Sequence, residues 1–140
     1  MKMSSLVSWS HIHPVLVHFT TALFPVSFVS DAAGRYAKRA SLTDSAWWML
    51  FFGALATPLP ALAGWLWAAQ NGPASVDDPM LATHRLLGLA LVPAFAAMAI
   101  WRGRIFILSR KPGLVYLAVA AVVIAALLYQ GYLGGKMTLG

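Results

Sequence analysis

The chain has 140 residues, 60% of them hydrophobic and 10% charged, with a mean hydropathy of +0.73; it is too apolar for a soluble globular domain and too short for two domains. Its formal charge of +6 comes from basic residues clustered between apolar runs, which is the distribution of a topology signal and not of a nucleic-acid surface. Cysteine is absent, which excludes disulfides, thiolate metal sites, iron-sulfur clusters and thioether-linked haem.

Four segments are long enough to cross a hydrocarbon core, which takes about 20 apolar residues as a helix. They are expected near residues 14–35, 46–70, 80–101 and 113–134, so residues 1–140 form one all-α, four-helix up-and-down bundle integral to the membrane. No small-residue cleavage site precedes a short apolar core at the N-terminus, so the first segment is expected to be retained. Pro14 suits its first turn, with Ser10 or His13 as cap. Asp31 and Arg35 are four apart and can pair on one face. In the second segment, Thr57-Pro58-Leu59-Pro60 must kink the helix. Ala61, Ala63 and Gly64 then allow close approach of another helix or of a flat cofactor. The fourth segment has packing alanines such as Ala121 and Ala125, with Tyr116, Tyr129 and Tyr132 near its ends.

The connections set an orientation. Arg35, Lys38 and Arg39 flank the first loop, and Arg102, Arg104, Arg110 and Lys111 the third, while residues 71–79 carry only Asp77 and Asp78. Positive residues stay in the cytoplasm. Loops one and three are therefore expected to be cytoplasmic, with both termini on the periplasmic side of a bacterial inner membrane. The tryptophans agree: Trp47, Trp48 and Trp101 fall at the inner boundary and Trp9, Trp65 and Trp67 at the outer one.

Three of the four histidines, His11, His13 and His18, crowd the entrance of the first segment, and the fourth, His84, opens the third. Ionisable residues inside a membrane are costly and mark function by default. His18 lies four residues past Pro14 and His84 four past Met80, each about 6 Å deep at ~1.5 Å per residue. Two histidines at one depth can clamp a haem iron from both faces or supply half of a metal site; otherwise they hydrogen-bond to backbone or to Thr20, Thr21 and Thr83. His13 and His18 are roughly 140° and about 7.5 Å apart on one helix, so His13 serves either a second site or a cap. Arg85 suits a haem propionate or a lipid phosphate.

These residues resemble a family of small bacterial four-helix membrane proteins grouped as a domain of unknown function. The similarity lies in His13-Pro14-Val15-Leu16-Val17-His18-Phe19, Ala63-Gly64-Trp65, His84-Arg85-Leu86-Leu87-Gly88 and the Gly134-Gly135 close. It implies a bundle like that of membrane b-type cytochromes, with His13, His18 and His84 as haem ligands. Thr20 stands where the family often has Pro, an Asp before Trp65 is missing, and the chain stops one position before an expected final His. A second haem there would need that His or Met137.

The expected function is that of an electron-transfer subunit more than a stand-alone enzyme. It would bind one or two haems b through His18, His84 and His13, with Arg85 on a propionate, and pass electrons between quinol and a periplasmic redox partner. The rival is a cofactor-free structural or assembly subunit of a larger membrane complex. A proton channel or transporter fits less well, because Asp31 is the only carboxylate within a span. No nucleophile elbow or phosphate loop supports a hydrolase or kinase.

Overall fold

The computed structural model describes residues 9–71 and 78–139, with side chains over 15–66 and 78–137. These residues form five helices: α1 (Trp9–Ala37), α2 (Ala40–Ala56), α3 (Pro58–Asn71), α4 (Pro79–Ile107) and α5 (Leu114–Leu139). They make four stretches apolar and long enough to cross a membrane: Val15–Ala37, Ala40–Leu66, Pro79–Ile107 and Leu114–Met137.

Local chemistry explains most of the boundaries. At the start of α4, the Asp78 side chain accepts from the Met80 N–H at 2.9 Å, and Pro79 occupies the first turn where its missing N–H has no intrahelical partner. α1 and α4 end alike. Lys38 and Ser109 adopt left-handed φ values of 55° and 51°, and the next N–H folds back, Arg39 to the Gly34 carbonyl at 3.1 Å and Arg110 to the Ile105 carbonyl at 3.0 Å. The expected kink separates α2 from α3: Pro58 has no N–H to give, and Thr57 turns its N–H and its hydroxyl onto the Gly53 carbonyl, at 3.0 and 2.8 Å.

The boundaries differ from expectation in four places, one of them the end of α5, which runs to Leu139 and not to 134. α1 begins at Trp9, so Pro14 falls inside it and not at its first turn. The second span starts at Ala40, six residues early, because the turn is made by Lys38 and nothing in Ala40-Ser41-Leu42-Thr43-Asp44-Ser45 breaks a helix. α4 continues to Ile107, which makes Arg102 and Arg104 helical and not loop residues. Arginine marks the end of a membrane segment by charge, yet it is a good helix former.

α1 packs beside α2, α3 and α5, and α4 packs beside α2 and α5 and lightly against α3. Among the described residues, α1 and α4 make no close backbone approach, so they are diagonal partners that run in the same direction. Side chains bridge the diagonal. The Phe24 and Phe95 rings stack with centroids 3.4 Å apart and planes 3° from parallel. An added Cβ on Gly53 would lie 2.8 Å from the Phe24 ring, so this glycine makes room for the stack.

The bundle exposes large apolar side chains on its outside, and its interior sets a group of polar side chains beside an apolar core. Thr20, Ser27, Asp31, Thr57, Arg102 and Gln130 are buried, while Val15, Phe52, Leu55, Leu86, Val122 and Leu128 are exposed. Each buried polar group is costly in hydrocarbon unless bonded internally. Ser27 accordingly donates to the Ala46 carbonyl at 2.8 Å.

Candidate functional site

On α1 the buried positions are Thr20, Phe24, Ser27, Asp31 and Gly34, and on α4 Leu91, Phe95, Met98 and Arg102 form a like run, with Gly103 buried beside it against Trp47. Both runs repeat by fours and threes, so each is one seam on one side of its helix. His84 lies seven residues before Leu91 and continues the α4 seam. His18 lies about 160° round α1 from its seam, at 100° per residue, and is exposed.

His84 is held by α5. Its Nδ1 is 3.1 Å from the Gln130 backbone carbonyl and its Nε2 is 3.3 Å from the Gln130 side-chain nitrogen. A carbonyl can only accept, so Nδ1 carries the proton and Nε2 presents its lone pair. Gly134 lies against the ring, and an added Cβ there would be 3.0 Å from His84 Cε1. Arg85, its neighbour, is exposed. The side chains of His11 and His13 lie outside the described residues.

Helix register also separates His18 from His84. Phe24 is level with Phe95, and Asp31 with Arg102; each pair is 71 positions apart. His18 is therefore level with Leu89, five residues or about 7.5 Å farther along the axis than His84. Counted from Pro14 and Met80 the two histidines are level, whereas the stacked rings fix the register. No group of three or more His, Asp or Glu side chains able to hold a metal ion is formed among the described residues.

The other end of the bundle holds a constellation that sequence reasoning missed. Asp31 and Arg102 are 0% and 1% exposed. Arg102 Nε donates to Asp31 Oδ2 at 2.9 Å and Nη2 to Oδ1 at 2.9 Å, a two-pronged pair. Nη2 also donates to the Thr43 carbonyl at 2.6 Å. The expected Asp31–Arg35 pairing is thus corrected: Asp31 faces the seam and meets Arg102, while Arg35 donates to the Pro112 carbonyl at 2.8 Å across the loop between α4 and α5. The available signal was the spacing itself, since Asp31 stands seven after Phe24 and Arg102 seven after Phe95.

Fold and interior therefore define a four-span helical membrane protein with a buried ion pair across its diagonal. The chain belongs to the family described as a predicted membrane protein (DUF2231), which matches residues 10–140. No curated protein and no solved structure matches it.

Proposed function

We propose that this chain is a haem b-binding electron-transfer protein of the bacterial inner membrane, passing electrons between quinol and a periplasmic redox partner. His84 carries the proposal. It faces the bundle seam, and a backbone carbonyl fixes its proton on Nδ1, the arrangement in which an imidazole offers Nε2 to a metal. The glycine beside the ring leaves room that any larger residue would fill. A bound haem supplies one-electron chemistry; the protein's part is to orient the ligands and to exclude water.

Sequence spacing refines the choice of its partner. His13 and His84 are separated by the same 71 positions as Phe24 and Phe95, and His13 stands seven before Thr20. In this reading His13 and His84 are the axial pair, Arg85 meets a propionate, and His18 serves a second site on the outer face of α1. Loops one and three are cytoplasmic and the histidine end is periplasmic, as the distribution of basic residues favours.

The test is a reduced-minus-oxidised absorption spectrum of the detergent-purified chain, with a pyridine extract to count haem. The expected result is a sharp b-type band that His84→Ala and His13→Ala each abolish and His18→Ala leaves in place. Unchanged haem in His84→Ala would remove the site. A flat spectrum from folded protein would favour the second reading, a cofactor-free subunit of a larger membrane complex. What speaks for that reading is Gln130, which already engages both nitrogens of His84.

A further inference from the structure

The loop end of the bundle encloses a cleft of about 550 Å³, within the roughly 300–1,000 Å³ range of small-molecule sites. Lys38, Arg39, Arg110 and Lys111 line it, with Asp44 as its one carboxylate. Arg102 belongs to the same lining. Two of its nitrogens are committed to Asp31 and Thr43, and its third, Nη1, is buried without a hydrogen-bond partner among the described residues. The start of α2 adds to the positive field, because Ala40 and Thr43 line the cleft and the Arg39 cap position offers no side-chain acceptor to the first N–H groups.

We propose that this cleft binds a phosphate-class oxyanion, presented as the headgroup of an anionic lipid. Four cations from two loops converge on one concave space, with an under-satisfied guanidinium at its base and a helix N-terminus at its side. Both loops are shaped for this by left-handed residues that themselves line the cleft, Lys38 and Ser109. The lipid source follows from the rim. Ile107 lines the cleft and is 80% exposed, and Leu108, next in sequence, is exposed too. An acyl chain leaving the cleft along this apolar lip stays in hydrocarbon, whereas a free anion makes no use of it. This site is at the opposite end from His84 and stands or falls independently of haem.

The experiment measures lipid retention by native mass spectrometry and by thermal-shift titration on the detergent-purified full chain. Phosphatidylglycerol, phosphatidylcholine and inorganic phosphate are the probes. Phosphatidylglycerol is expected to bind at least tenfold more tightly than phosphatidylcholine. Lys38→Gln and Arg110→Gln are each expected to weaken it about fivefold, a basic residue at a membrane surface being worth about 1 kcal/mol. Asp44→Asn should tighten it. Arg104→Gln, an exposed cation at the same end that does not line the cleft, should leave it unchanged. If inorganic phosphate binds with the same dependence on Lys38 and Arg110 and the lipid does not, the oxyanion site stands and its ligand is soluble. Equal weakening by Arg104→Gln, or no binding of either probe, would overturn the proposal.

Discussion

Removing the Arg102 guanidinium tests the buried ion pair most directly. Arg102→Met deletes two bonds to the Asp31 carboxylate and one to the Thr43 carbonyl, and leaves a carboxylate that is 0% exposed. Breaking a buried pair from one side costs about 3–5 kcal/mol. Asp31→Leu strands Arg102 with Thr43 as its remaining acceptor, at about 3–5 kcal/mol. The double variant removes both charges together and fills the space with apolar side chains, so it should come within about 1–2 kcal/mol of the parent. The cycle therefore predicts a coupling of at least about 3 kcal/mol. Loss of helicity in mixed micelles of rising dodecyl sulfate content, followed by far-ultraviolet circular dichroism, measures each variant. If the double variant costs the sum of the two single ones, the pair contributes nothing as a pair and the reasoning fails.

The same unfolding assay checks the close approaches. Gly34→Ala should cost about 1–3 kcal/mol, since its Cβ would lie 2.7 Å from Thr43 Cγ2 and 3.0 Å from the Thr43 backbone nitrogen. Gly131→Ala, where an added Cβ meets nothing within 4 Å, should instead be neutral or stabilising by about 0.5–1 kcal/mol. Ser109→Gly relieves the left-handed φ of 51° and should raise stability by up to about 1 kcal/mol. Gln130→Leu removes the side-chain donor to His84 Nε2 but keeps the backbone carbonyl that holds Nδ1; on the haem reading, pyridine extracts should show full haem content.

The spans were legible because membrane segments announce themselves by length and hydropathy, and the Thr57–Pro58 break because a missing N–H is a property of the residue alone. Where α2 starts and α4 ends was less so. Arg102 looked like a loop cation because charge was read without its partner, which lies 71 positions away. The same distance hid the Asp31 contact behind a local alternative, Arg35, that satisfied the i, i+4 rule but not the seam. His84 could be singled out as an intramembrane imidazole, yet its anchor, Gln130, could not, since no helical repeat links helices across a bundle. His18 and His84 come level only when helix starts follow composition, whereas register is set by packed rings such as Phe24 and Phe95.

Between its two polar ends the described bundle is closely packed. The stacked phenyl rings sit with Leu50, Met98 and Ala120 around a void of about 10 Å³, close to the smallest space that admits a single water. Beside these rings there is room for about one water and not for a file of them. The ion pair at one end and the histidine at the other are thus divided along the bundle axis by packed rings. A ligand arriving at one end meets polar groups of that end alone, with the ring stack between it and the other.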